Sequence, residues 1–213
     1  MNNEMLNRIT RYYRTLNRLR AIGLEKVFAH NLADAAGVSA TIVRKDFSQL
    51  EIKGQKRGGY EIIDLIDTIG KILGKGGTQN IIVVGCGRIG KALMYYSGFE
   101  PDGIKMVAGF DTDPLVYSDP SFPIPVYPLS RLEEVVDALK VNVAIITVPE
   151  NSASDIYARL LEAKVHGILN FSPVTLKPQK LENGTMPIVH NINIALELEK
   201  IFYELQFPEK SIN

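Results

Sequence analysis

The stretch Asn80-Ile81-Ile82-Val83-Val84-Gly85-Cys86-Gly87-Arg88-Ile89-Gly90 decides how this chain folds. Its first five residues, four of them β-branched, form the run expected of a buried strand, and the next six match G-x-G-x-x-G at the opening of a helix expected from about Ile89. Each glycine then has its own role. Gly85 permits the tight turn, Gly87 lets a pyrophosphate approach the backbone, and Gly90 lets helix and strand pack, while the helix N-terminus supplies N–H donors and the positive end of its dipole. Gly85, Cys86, Gly87, Arg88, Ile89 and Gly90 are therefore the candidate nucleotide-binding residues of the loop. Asp111 follows 26 residues after Gly85, at the end of the next apolar run, where a carboxylate accepts hydrogen bonds from an adenosine ribose. A carboxylate there repels a 2′-phosphate, and the next residue is Thr112 rather than Arg, so the pattern favours NAD(H) over NADP(H). Asp113 is either a further contact or a turn residue opening the segment behind it.

Outward from that stretch the chain alternates. Apolar runs at 105–110, 143–148 and 167–171 follow the first strand, with helix-length segments after the first strand, at 131–140 and at 152–164. This rhythm predicts a parallel sheet covered on both faces. The proline-rich piece 113–128 reads as extended chain or loop. The tail, 191–205, carries Ile194, Leu198, Ile201, Phe202 and Leu205 at helical spacing and stands outside the rhythm.

Upstream the pattern is different. Residues 1–60 hold 11 Lys and Arg against 5 Asp and Glu, and the rest of the chain holds 13 against 19, so the net charge of zero joins a basic part to an acidic one. Leu6, Ile9, Tyr12, Tyr13, Leu16 and Leu19 mark an amphipathic helix over 6–22, stopped at Gly23. A short helix over 31–36, a turn at Gly37 and a helix opened by Ser39 and running to about Leu50 give a helix-turn-helix. Val43, Phe47 and Leu50 face inward on the second helix. Thr41, Arg44, Lys45 and Ser48 then share an exposed face that suits a major groove. Gly54-Gln55-Lys56-Arg57-Gly58-Gly59 has the composition of a basic wing, with Lys56 and Arg57 as phosphate or minor-groove contacts. A helix over 60–73 and the linker Lys75-Gly76-Gly77 close this part. The expected organisation is a winged-helix DNA-binding domain over 1–76, a Rossmann domain over 77–190 and a C-terminal helix over 191–213, an α/β protein overall.

Other chemistry finds less support. A single cysteine closes no intramolecular disulfide, three histidines at 30, 166 and 190 have no zinc spacing, and no apolar run reaches the roughly 18 residues of a membrane span, all of which fits a reducing cytoplasm. His30, His166 and His190 have no nucleophile at a recognisable spacing, and Cys86 is either a redox thiol near a helix N-terminus or a small residue that fits the turn. A dehydrogenase needs a substrate domain, and only about forty residues follow the fourth strand. A small NAD-dependent oxidoreductase and a CoA- or nucleotide-binding module remain alternatives.

Taken as a set, these motifs resemble the Rex family of redox-sensing transcriptional repressors over nearly the whole chain. Val38-Ser39 and Val43-Arg44-Lys45-Asp46 resemble its recognition helix, Gly54 to Tyr60 its wing, and Val84 to Leu93 its nucleotide loop. Phe110-Asp111-Thr112-Asp113-Pro114, Ile146-Thr147-Val148-Pro149 and Gly167 to Val174 agree as well. The resemblance implies a homodimer with exchanged C-terminal helices that binds an inverted-repeat operator and releases it when NADH replaces NAD⁺. By position it also implies that Thr147, Val148, Pro149, Asn170 and Pro173 line the nicotinamide side, with Tyr96 near the ring. Two departures stand out. Lys56 occupies the usual place of a wing arginine, with Arg57 one position later. Asn193 replaces the aspartate that, at the start of the tail helix, would partner an N-terminal arginine, here Arg14; these two are the candidate switch residues.

Overall fold

The computed structural model describes residues 1–54, 58–181 and 184–207, which form two compact units, Met1–Thr78 and Gln79–Asn213. In the first, α1 (Asn3–Ala21) begins at Asn2, whose side chain accepts a hydrogen bond from the Met5 amide, and has Arg18 and Arg20 in its last turn, matching the helix dipole. Met5, Ile9, Tyr12 and Leu16 form its buried stripe. Strand β1 (Lys26–Val27) leads into α2 (Ala29–Ala36) and α3 (Ala40–Gln49). Between them Gly37 takes the left-handed conformation, at φ 67°, that ends α2, and the Ser39 side chain accepts from the Ile42 amide to start α3. Then β2 (Tyr60–Glu61) pairs antiparallel with β1, and α4 (Ile62–Ile72) closes the unit on a core that includes Ile9, Leu16, Leu32, Val43, Phe47 and Ile69. Tyr12 and Tyr60 both meet the Phe47 ring edge-on. This is a winged-helix arrangement. The wing residues Lys56 and Arg57 lie outside the described residues.

The second unit is a six-stranded sheet, all parallel, made of β3 (Gln79–Val84), β4 (Ile104–Asp111), β5 (Val126–Pro128), β6 (Val143–Ile146), β7 (Gly167–Asn170) and β8 (Ile188–Asn191). Its order is β5-β4-β3-β6-β7-β8. The chain therefore builds outward from β3 in one direction, then returns to β3 and builds outward in the other, which is the doubly wound dinucleotide-binding order. Along β3 the side chains alternate, as a strand requires: Ile82 and Val84 enter a core with Leu132, Val136, Ile156 and Leu160, while Ile81 and Val83 enter another with Met94 and Met106. The helices are α5 (Arg88–Met94), α6 (Pro114–Tyr117), α7 (Leu132–Leu139), α8 (Glu150–Glu162) and α9 (Ile194–Gln206).

Two strands exceed the four that the sequence leads one to expect. β5 arises inside the proline-rich piece, and its Pro128 is tolerated because it is an edge strand. β8 takes Asn191 into the sheet, so α9 begins at Ile194, the first of the spaced apolar residues, three residues after the expected boundary at 191. The run at 143–148 stops being strand after Ile146, where the chain turns into the crevice beside β3. None of the described helices is long and apolar enough to cross a membrane.

Candidate nucleotide site and nucleic-acid interface

The strand order reverses between β3 and β6, and a cavity of about 460 Å³ opens there, within the size range of small-ligand sites. The strand ends around it contribute: Val84 at the end of β3 with Gly85 and Gly87 of the turn and Ile89 of α5, Phe110 and Asp111 of β4 with Thr112 after it, Thr147, Val148 and Pro149 after β6, and Phe171 and Pro173 after β7. Leu129, Ser152 and Ile156 complete the wall. The last two stand four apart on α8, so they share a helix face, a signal that the sequence did carry.

The glycines act as their spacing implies. Gly85 has φ 93°, and a Cβ there would lie 2.9 Å from the Thr147 backbone. Gly87 faces open space, as a backbone that must be approached does, and a Cβ on Gly90 would run into the Gly85 carbonyl oxygen. The Thr147 hydroxyl donates to that same oxygen at 2.5 Å and so ties the β6 turn to the β3 turn. Asp111 ends β4 with one carboxylate oxygen accepting from the Cys86 amide at 2.8 Å and the other from the Asp113 amide at 3.0 Å. Its position is thereby fixed against the glycine turn.

Other candidates have different roles. Asp113 caps α6, accepting from the Leu115 amide, and is not on the cavity wall. Arg88 is the exposed first residue of α5. Cys86 is buried, its thiol donating to the Phe110 carbonyl oxygen, and burial together with the Asp111 charge pushes its pKa up to about 12. It is the small residue that fits rather than an activated thiol. Tyr96 falls beyond the end of α5, exposed and edge-on to Phe99, so it is neither a core aromatic nor a lining residue of this cavity. Asn170 is fully buried and also absent from the wall. Its amide nitrogen donates to the Val174 carbonyl and to the Asn191 side chain, and its oxygen accepts from Ser172, so it braces the loop that carries Phe171 and Pro173.

On α3, Ser39 at the cap and Thr41, Arg44, Lys45 and Ser48 along the helix are all exposed, while Val43 and Phe47 are buried. Between them sits a group to which the sequence pattern assigned no role. Asp46 is 1% exposed and accepts two bonds from Arg8, at 2.8 and 2.7 Å, and one from the Tyr12 hydroxyl at 3.0 Å. Burial alone would raise the Asp46 pKa, but the Arg8 and Tyr12 bonds outweigh it and hold the carboxyl below its ordinary range. Arg8 and Tyr12 stand four apart on α1, and Asp46 stands three from Val43, on the inward stripe. A carboxylate in that stripe needs a buried partner, which was the legible signal. Arg11 also donates to the Ala36 carbonyl at the end of α2, so α1 grips both helices of the motif. Asn193 caps α9, its side chain accepting from the Leu196 amide. The apolar residues of α9 from Ile194 to Leu205 are all exposed.

A winged-helix unit with a cationic recognition face, in one chain with a dinucleotide-type crevice, defines a ligand-responsive transcriptional regulator. Comparison with known proteins narrows the class. Residues 3–48 match the family described as putative DNA-binding protein N-terminus, and residues 77–174 match the CoA binding domain family. A redox-sensing transcriptional repressor Rex from Rhodopirellula baltica is 36% identical over 201 residues, covering 94% of this chain and 83% of the relative. The chain belongs to the Rex family of redox-sensing transcriptional repressors. Among solved structures, RSP in complex with beta-NAD⁺ and operator DNA matches with a TM-score of 0.84 at 27% identity, covering 98% of this chain and 94% of that one. RSP in complex with beta-NADH matches with a TM-score of 0.75 at 27% identity, covering 98% and 96%.

Proposed function

We propose that this chain is a cytoplasmic repressor that reports the NADH/NAD⁺ ratio, binding an inverted-repeat operator as a homodimer and releasing it when NADH binds. The observation that carries the reading is the crevice at the β3–β6 switch point, where the glycine turn, the N-terminus of α5 and Asp111 converge. NAD(H) would lie with its pyrophosphate over Gly85, Gly87 and Gly90, its adenosine ribose on Asp111, and its nicotinamide toward Thr147, Val148, Pro149 and Pro173. Arg88 is available to the phosphates. The exposed face of α3 would enter the major groove, with Ser39, Thr41, Arg44, Lys45 and Ser48 at the DNA and Lys56 and Arg57 of the wing on phosphates. Complexes of RSP with beta-NAD⁺ and operator DNA, and with beta-NADH, support this order of events. The apolar surface that α9 exposes supports burial against a second copy of the chain. The reading assigns no turnover: none of the three histidines lines the cavity, and the thiol of Cys86 is held protonated.

A gel shift on inverted-repeat DNA tests this directly. Retarded complex should persist with NAD⁺ and dissolve as NADH is added. The match to the CoA binding domain family makes CoA the informative competitor. Release by CoA and not by NADH would replace the dinucleotide with CoA as the effector, and oxidation of NADH by the protein with a substrate would make it an oxidoreductase.

A further inference from the structure

We infer that the Asn170–Asn191 amide pair is a positioning device that couples the wall of the nucleotide cavity to the root of the tail helix; this rests on the function proposed above. The two residues face each other in the β7–β8 register, and the Asn170 amide nitrogen donates to the Asn191 side-chain oxygen at 2.8 Å. That oxygen also accepts from the Leu176 amide at 2.9 Å, and the Asn191 amide nitrogen donates to the Leu176 carbonyl at 3.0 Å. Asn191 thus imitates a strand backbone toward Leu176. On the other side, Asn170 holds Ser172 and Val174, the residues flanking Pro173. The loop from Phe171 to Leu176, which carries two residues of the cavity wall, is therefore stapled by two side chains to the last residue of β8.

Asn191 is also the threshold of the tail. The Ile192 amide donates to the Asn170 carbonyl at 2.7 Å, and the next residue, Asn193, caps α9. One residue, Ile192, separates the staple from the helix cap. Asn170 is fully buried with both ends of its amide engaged, so it has no freedom to absorb a shift of the loop by turning over. A displacement of Phe171 or Pro173 by a bound ring is consequently passed to Asn191 and to the direction in which α9 leaves the sheet. The backbone ladder of β7 and β8 alone would not do this, because it ends with the Ile192 amide on the Asn170 carbonyl and does not reach the loop.

Coupling is a ratio of affinities, so the test measures that ratio. Operator affinity of the full-length protein is measured with and without saturating NADH, for the parent, Asn191→Ala and Asn191→Ser, alongside NADH affinity by fluorescence titration. The expected result is that NADH affinity and ligand-free operator affinity each stay within about threefold of the parent, while the factor by which NADH weakens operator binding falls by about fivefold or more, a change within the usual span of allosteric couplings. An unchanged factor in the two variants overturns the inference, even if both affinities fall together, since that is what a merely structural bond would give. Hydrogen exchange on the parent needs no variant: the Leu176 and Ile192 amides should exchange differently with NADH and with NAD⁺, and identical rates would also overturn it. A parent protein that does not respond to NADH at all would instead refute the proposed function.

Discussion

Replacing Asp46 by alanine removes the group on which α1 and α3 converge. Tyr12, fully buried, loses the acceptor of its hydroxyl, at about 1–3 kcal/mol for an unsatisfied buried group. Arg8 loses a two-point ion pair, and breaking a buried pair from one side costs about 3–5 kcal/mol. These costs overlap, and the Arg8 side chain is 22% exposed and can turn to water, so the low end applies, about 3 kcal/mol in total. For a unit of this size that is a fall in Tm of about 15 °C, read from thermal denaturation followed by circular dichroism. Replacing all three partners with apolar residues, Arg8→Met and Tyr12→Phe with Asp46→Leu, should recover most of the loss, because neither a charge nor a buried hydroxyl is then left unpaired. The pH dependence has a definite sign. The Asp46 carboxyl is held below its ordinary pKa in the fold, so its stabilisation is complete above the unfolded value of about 3.9 and is lost as pH falls through the folded value. The gap between parent and Asp46→Ala should be flat from pH 6 to 8 and close below about pH 4. A variant melting within about 3 °C of the parent at pH 7 would refute the reasoning.

Arg44→Ala should weaken operator binding by about 1–3 kcal/mol and relax specificity at one base without lowering Tm, since the side chain is exposed on α3; equal affinity in a gel shift would remove Arg44 from the interface. Gly90→Ala should cost NADH affinity at least about tenfold, because the added methyl meets the Gly85 carbonyl oxygen and the turn must shift; fluorescence titration reads it. Cys86 should resist iodoacetamide at pH 8 in the folded protein and react on unfolding, as a buried thiol with a pKa near 12 must; labelling at equal rates would contradict its burial. Asn193→Asp keeps the α9 cap and restores the charge that the family resemblance pairs with Arg14; on the proposed switch it should steepen the NADH dependence of operator release, with Arg14→Ala reversing the gain, and no change would show that this pair is not the switch.

The sheet was legible where its strands are buried on both faces and illegible where they are not. β3 announces itself as a β-branched run and β4, β6 and β7 as apolar runs, whereas β5 is three residues ending in Pro128 and β8, Ile-Val-His-Asn, is an edge strand with its side chains largely exposed. The site follows the same division. Gly85, Gly87, Gly90 and Asp111 could be read because their roles depend on local backbone geometry and on a fixed distance along a strand–helix–strand unit. Phe171 and Leu129 could not, because they come from the separate segments after β7 and β5 that only the closed sheet brings together. Asn170 is placed on the nicotinamide side by the family resemblance alone; in the structure it has no exposure, and its carboxamide spends its bonds inside the protein, bracing the neighbouring loop.

That division also locates the discrimination between the two redox forms. A ligand shifts an equilibrium only through a difference in its affinities, and interactions common to NAD⁺ and NADH cancel in the comparison. In the proposed binding mode the glycine turn and Asp111 would meet the pyrophosphate and ribose, which are identical in the two forms, so they would supply affinity without selectivity. The forms differ at the nicotinamide ring, which is cationic when oxidised and neutral when reduced. Among the described lining residues Asp111 is the one carboxylate, and it stands at the end of β4, while the walls after β6 and β7 are Val148, Pro149, Phe171 and Pro173. Enclosing a cationic ring against such walls costs desolvation that nothing there offsets, whereas the neutral ring gains from the same contacts. In that binding mode a preference for NADH would originate at the Phe171–Pro173 loop, the segment of the wall that Asn170 and Asn191 fasten to the base of α9. Affinity, selectivity and transmission then fall to three successive parts of the crevice, and a change in the last can alter the response while leaving the ligand as tightly bound as before.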